Sequence, residues 1–107
     1  MFLLFSEMIW QCIDGNEKVL IAETIVYEKE IFIHAVDTDE DYRRHGLATI
    51  LMEHLIKFAK LHGYSKIYGE ISPNLPIGIS ALRMFYKKLG FETHMYTFTM
   101  EMKNKII

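Results

Sequence analysis

The stretch Thr38-Asp39-Glu40-Asp41-Tyr42-Arg43-Arg44-His45-Gly46-Leu47-Ala48 is where residue types and order could do chemistry. It lies between a run rich in β-branched residues and a run with helical periodicity, so it reads as a strand-to-helix junction. Glycine and alanine at a helix start let a ligand approach the backbone closely, and the first N–H groups of a helix have no partner within it. Together with the helix dipole they make an anion site suited to a pyrophosphate. Arg43 and Arg44 add positive charge beside it. The same residues read equally as an ordinary turn whose arginines are merely solvated. Neither G-x-x-x-x-G-K-[ST] nor G-x-G-x-x-G occurs, which excludes the mononucleotide P-loop and the dinucleotide fingerprint.

The elements on either side must hold this junction in place. Residues 1–13 are an apolar stretch that ends at the turn signal Asp14-Gly15-Asn16. Residues 19–27 read as a strand, and Tyr27-Glu28-Lys29-Glu30 turns the chain into a second one over 31–36. That strand is apolar at successive positions, the pattern of a central strand covered on both faces. Leu47, Leu51, Leu55 and Phe58 predict a helix over 47–61 with Gly63 as its stop. Lys66 to Ile71 reads as a strand parallel to 31–38, reached by a right-handed crossover. Pro73 and Pro76 bracket a loop, Ser80 is the expected cap of a second helix to Leu89, and Thr97 to Lys103 alternates as a last strand. The order β-β-β-α-β-α-β predicts one α/β domain over residues 1–107. Its mixed sheet has an N-terminal β-meander and a parallel strand pair joined by a crossover helix.

Composition narrows the function classes. The chain has 107 residues, 50% hydrophobic and 13% aromatic, enough for one packed core. Twelve Lys+Arg against fourteen Asp+Glu leave a net charge of -2, so no basic field exists for nucleic acid. The lone Cys12 cannot form an internal disulfide, which suits a reducing compartment. The apolar start lacks a basic residue and carries Glu7, unlike a signal peptide, and no run approaches the roughly 18 apolar residues of a membrane span. A cytoplasmic protein without membrane attachment is expected. His54, His62 and His94 lack ligand spacing with one another or with Cys12, so no metal is expected.

Arg43-x-x-Gly46-x-Ala48, after a strand and before an amphipathic helix, resembles the acetyl-CoA motif [QR]-x-x-G-x-[GA] of the GNAT superfamily of N-acetyltransferases. At the expected distance, Ser80-Ala81-Leu82-Arg83-Met84-Phe85-Tyr86-Lys87-Lys88-Leu89-Gly90-Phe91 is similar to that family's a-x-x-f-Y-x-k-x-G-F signature. The resemblance implies that the two parallel strands splay and that the pantetheine arm lies between 31–38 and 66–71. Main-chain groups near Val36 and Thr38 would bond the arm, and the amides of Arg44, His45, Gly46, Leu47 and Ala48 would hold the pyrophosphate. Tyr86 would hydrogen-bond the thioester sulfur and protonate the leaving thiolate, a role open to a positioned phenol. Its plainer reading is a core aromatic. The implied activity is transfer of acetyl from acetyl-CoA to a primary amine of a small molecule or protein, by direct attack in a ternary complex. A degenerate module that holds acetyl-CoA or CoA without turnover, or a subunit of a larger complex, is the alternative.

Three departures qualify the match. Ala48 replaces the second glycine, and Ile79 stands where the family often has an asparagine, with Asn74 further upstream. Residues 1–18 have no room for the two helices usual between the family's first and second strands. The acceptor site is therefore expected to be open, built differently, or completed by another subunit. The proton acceptor stays open among Glu30, Glu23, Glu70, His34 and water. Glu30 opens the central strand, Glu23 interrupts an apolar strand where burial would raise its pKa, and His34 lies between Phe32 and Val36. The acidic run Asp37, Asp39, Glu40, Asp41 would favour a cationic acceptor. The apolar residues from Met1 to Trp10 suggest packing against a second copy.

Overall fold

β-Branched and aromatic residues alternating with polar ones carry the N-terminal part of the chain into three antiparallel strands. These are β1 (Phe5–Asp14), β2 (Glu17–Tyr27) and β3 (Glu30–Thr38), joined by tight turns between the paired residues Asp14 and Glu17 and between Tyr27 and Glu30. The computed structural model describes residues 5–15, 17–38, 46–72 and 78–102. After β3 come α1 (Leu47–Leu61), β4 (Lys66–Glu70), α2 (Ile79–Lys88), β5 (Glu92–His94) and β6 (Thr97–Glu101). The strands form a six-stranded sheet in the order β1-β2-β3-β4-β6-β5, in which β3 and β4 are parallel and every other neighbour is antiparallel. This is the mixed α/β sheet expected from the sequence, with its meander and its parallel pair spanned by a crossover helix.

The two crossovers decide which face of the sheet is covered. β3 to β4 is a parallel connection through α1. β4 to β5 is parallel through α2, because both strands are antiparallel to β6. Both connections advance in the same direction across the sheet, so two right-handed crossovers place both helices on one face. The burial pattern agrees. Ile31, Ile33, Ile67 and Phe98 point into one cluster with Met52, Leu55 and Ala59 of α1 and Tyr86 of α2. Under the start of α1 a smaller cluster joins Leu20, Ala22 and Leu51, with Val36 and Leu47 packed against it. Trp10 closes the far side, its ring edge-on to Phe58 at 5.1 Å. Its indole N–H donates to Thr24 Oγ1 at 3.3 Å, and the Thr24 hydroxyl donates to the Met8 carbonyl at 3.0 Å, so this buried hydroxyl is fully partnered.

Several expectations are corrected. Among the described residues β3 is covered on one face only: Phe32 is half-buried and His34 is exposed on the other. Its run of apolar residues records a strand in the middle of the sheet, and the handedness of the crossovers leaves one side without a layer. The second helix is capped by Gly78, one residue before Ile79, with no side-chain cap, so Ser80 lies inside it. The closing segment is a hairpin, β5 with β6, because Glu92 to His94 pairs with Thr99 to Thr97. Three residues are too short a span to show periodicity. Trp10 packs into its own domain, while Ile9 is exposed. None of the helices among the described residues is long and apolar enough to cross a membrane.

Gly69 is set by close packing. A Cβ there would collide with the Phe98 ring and stand 3.0 Å from the Ile33 carbonyl oxygen. Forcing a methyl group into a filled core typically costs about 1–3 kcal/mol. Gly69→Ala is therefore expected to lower the unfolding free energy by about that amount in urea titration. An unchanged midpoint would mean that the Phe98 ring is not seated on this strand.

Candidate functional site

The site begins where two strands part. β3 and β4 pair over four rungs, Glu30 with Lys66 through Ile33 with Gly69. Beyond that rung β4 stays with β6 as far as Glu70 opposite Thr97, while β3 stays with β2 as far as Thr38 opposite Leu20. The β2–β3 register shifts here: Thr24 faces Ile33 and Glu23 faces Ala35, which leaves His34 as an extra residue. A bulge bends its strand and adds local twist, so β3 is turned away from β4 at the end of their ladder. The result is a fork between His34–Thr38 and the end of β4, shorter than the gap expected along all of 31–38 and 66–71. Among the described residues, the main-chain groups of β3 that point away from β2 have no strand partner there. Val36 and Thr38 lie on this limb, and the Val36 side chain packs under the start of α1.

α1 starts over the same limb. Its cap, Gly46, has φ 75, a conformation that side-chain-bearing residues rarely adopt, and a Cβ there would meet nothing within 4 Å. No side chain caps the helix and no acidic residue lies in its first turn. The amides of Leu47 and Ala48 therefore present an open, positively polarised end to whatever occupies the space beside Gly46. Leu47 is held by the small cluster that also holds Val36, which ties this helix end to the forked limb. Arg43, Arg44 and His45, expected to complete the anion site, lie outside the described residues, as does Asn74. Ile79 is the first residue of α2 and packs against the core.

On the helical face of the fork stands Tyr86. Its ring is stacked on Phe98 at 3.7 Å with an interplanar angle of 6°, and Phe85 and Phe91 meet it edge-on at 5.0 and 5.6 Å. Phe98 in turn lies over Gly69, the last rung before the fork. The tyrosine is thus both the core aromatic and a phenol fixed one ring away from the point of separation. Burial pushes its pKa from 10.0 up to about 12, so at neutral pH it holds its proton and has an O–H to donate.

The candidate proton acceptors divide by position. Glu23 and His34 line one cavity of about 100 Å³ with Met8, Ile9, Thr24 and Ile25, beside the bulge. Both side chains are exposed: Glu23 is a solvated strand carboxylate, and His34 lies outside the core. His34 faces Phe32 at 6.5 Å between ring centroids, on the side opposite Val36, because the bulge breaks the alternation. Glu70 is exposed at the end of β4, across the fork. Glu30 is at the other end of the ladder, 3.9 Å from the Lys66 ammonium. It lies four residues before the bulge, roughly 13 Å along an extended strand. Among the described residues no group of three His, Cys, Asp or Glu is placed to hold a metal ion.

Phe98 and the bulge at His34 belong to this arrangement without a sequence motif to announce them. The available signal is Gly69, isolated in a strand, which marks a close approach or an irregular ladder.

A forked mixed sheet with an uncapped helix start on one limb and a phenol at the fork defines a domain that can clasp an extended, anion-tipped ligand between two parallel strands. The model of the acetyltransferase (GNAT) family matches residues 9–91, most of the chain, and the protein belongs to that family. Similar solved structures include the ribosomal-protein-S18-alanine N-acetyltransferase of Escherichia coli, 20% identical, with a TM-score of 0.78 over 94% of this chain and 71% of that one. A GNAT family acetyltransferase from Elizabethkingia anophelis with acetyl-CoA bound is 17% identical, with a TM-score of 0.77 over 91% of this chain and 77% of that one. The PaiA N-acetyltransferase from Thermoplasma acidophilum in complex with coenzyme A is 16% identical, with a TM-score of 0.71 over 92% and 61%. At these identities the likeness is one of fold. No curated protein matches the chain.

The raised pKa of Tyr86 makes a stability prediction. The unfolded chain loses this proton near pH 10 and the folded chain near 12, so the folded state binds more protons between them. Stability linked to Tyr86 is complete below pH 10 and falls as pH rises through 12, by roughly 2.7 kcal/mol for two pKa units. Urea titrations at pH 8 to 12 are expected to show the wild type losing more stability than Tyr86→Phe by about that amount. Parallel profiles would place the hydroxyl in water.

Proposed function

We propose that this protein transfers an acetyl group from acetyl-CoA to a primary amine, by direct attack within a ternary complex. The observation that carries the reading is the fork, with donors on its helical side and an open cavity on the other. The amides of Leu47 and Ala48, with Gly46 and with Arg43, Arg44 and His45 from the preceding loop, would bind the pyrophosphate. The main chain at Val36 and Thr38 would hold the extended arm. Unpaired amides at the bulge would polarise the thioester carbonyl. Tyr86 would donate its hydrogen bond to the sulfur as negative charge develops there, and its high pKa keeps the proton in place until then.

The amine would arrive from the uncovered face, opposite Tyr86, so that attack and departure occur on different sides of the fork. The amine must be neutral to attack. Glu23 and His34 at the cavity and Glu70 across the fork can take its proton directly or through water, whereas Glu30 is reached only through water. Bound acetyl-CoA and CoA in two structures of this fold support the ligand, and the N-acetyltransferases of Escherichia coli and Thermoplasma acidophilum that share the fold support N-acetylation. Ile79, in place of the asparagine frequent in the family, favours the second reading, a domain that holds acetyl-CoA or CoA without turnover.

Calorimetric titration with acetyl-CoA and CoA, followed by assay of thiol release with amine acceptors, separates the two. Both readings require micromolar binding, and only the first requires release. Tyr86→Phe is expected to reduce kcat roughly a hundredfold with acetyl-CoA affinity nearly intact. Full activity of that variant would remove the phenol from the mechanism. Gly46→Glu, which adds a side chain at φ 75 and a negative charge at the helix start, is expected to abolish binding of both ligands. Binding at the wild-type level would move the pyrophosphate elsewhere.

A further inference from the structure

The face of the sheet opposite α1 and α2 is uncovered among the described residues. Strand alternation brings Ile9, Ile25, Phe32 and Tyr68 to it, Ile9 with 59% of its surface exposed. Exposed carboxylates surround them: Glu23 and Glu70 near the fork, Glu92 and Glu101 on the two outermost strands beyond β4. With Glu30 this makes five carboxylates against one lysine, Lys66, among the described side chains of this face. The helical layer has the reverse balance, with Lys57, Lys60, Arg83, Lys87 and Lys88 against Glu53. Among the described side chains of the sheet and helices, the two signs thus gather on opposite faces. A concentration of one sign on one face raises the local concentration of oppositely charged ligands. The cavity lined by Glu23 and His34 lies beside the bulge, at the fork end of this face.

We propose that the uncovered face docks a cationic polypeptide, a lysine-rich segment with interspersed apolar side chains, and leads one of its amines to the cavity beside His34. The apolar centre takes the aliphatic stems of the lysines and the carboxylate rim takes their ammonium groups. A small amine would use the cavity alone, and would have no use for Ile9, Phe32 or Tyr68, nor for the distant Glu92 and Glu101. The fate of the amine rests on the acetyl-transfer reading, whereas docking itself does not.

The test uses the full chain and a fluorescent Lys-Gly-Leu repeat peptide, read by anisotropy, with a Glu-Gly-Leu peptide as the control ligand. Glu92→Lys and Glu101→Lys are compared with Glu53→Lys on the helical face, which changes the net charge equally. Each outer-face reversal is expected to weaken the lysine peptide about fivefold, and added salt to weaken it further, with Glu53→Lys close to wild type. The acidic peptide is expected not to bind. Equal weakening by all three variants, or no binding to wild type, overturns the proposal. A wild-type dimer in sedimentation velocity that Glu101→Lys dissociates overturns it in favour of a second copy on this face. Calorimetry of the same samples with acetyl-CoA keeps the two readings apart. Loss of the peptide with acetyl-CoA still bound defeats docking alone, and binding of the peptide without acetyl-CoA defeats acetyl transfer alone.

Discussion

The parallel ladder between β3 and β4 ends at Ile33 and Gly69, and the placement of each functional group follows from that ending. Gly69 has no side chain because the Phe98 ring occupies the space a Cβ would need. With that ring lying on the strand, Tyr86 can stack on it at 3.7 Å and is fixed beside the point where the strands part. On the other limb, the extra residue at His34 bends β3 while its pairing with β2 continues to Thr38. One strand is held by β6 and the other by β2, so each limb keeps a paired neighbour where the two part. A binding cleft between adjacent strands is otherwise hard to build, since unpaired backbone groups are costly unless a ligand or water satisfies them.

Handedness then gives the fork two unlike sides. Both crossovers advance the same way, so the helices, the aromatic stack and the buried phenol are all on one face. The other face keeps its exposed carboxylates and its cavity beside the bulge. A buried phenol with its pKa pushed up to about 12 and solvent-exposed carboxylates belong to one sheet because the helices dry one face and leave the other in water. The same separation distributes charge, with cations on the helices and carboxylates on the strands.

Much of this was legible in the residues. The helix over 47–61 has the bounds its periodicity predicts, and Gly46 stands at φ 75 as its cap. The order of the elements and the parallel pair also follow from the pattern, as does the place of Tyr86 on α2. The short strand β5, the Gly78 cap and the bulge did not. Each is a matter of one to three residues, less than a period of helix or strand. Glu30, named for its place at the start of the central strand, is beside Lys66 at the far end of the ladder, while Glu23 and His34 share the cavity.

By itself the sequence determined what is local. Hydrophobic period, turn residues and a glycine at a helix start act over a few residues, and they specify strands, helices and a glycine-capped helix start wherever the chain puts them. The tertiary structure alone decided which face of β3 is bare, that His34 is a bulge, and that Phe98 links Gly69 to Tyr86. These depend on the register between strands far apart in the chain and on the direction of the crossovers. A shift of one residue in register exchanges the two faces of a strand, and β3, apolar at successive positions, has no alternation to record that choice.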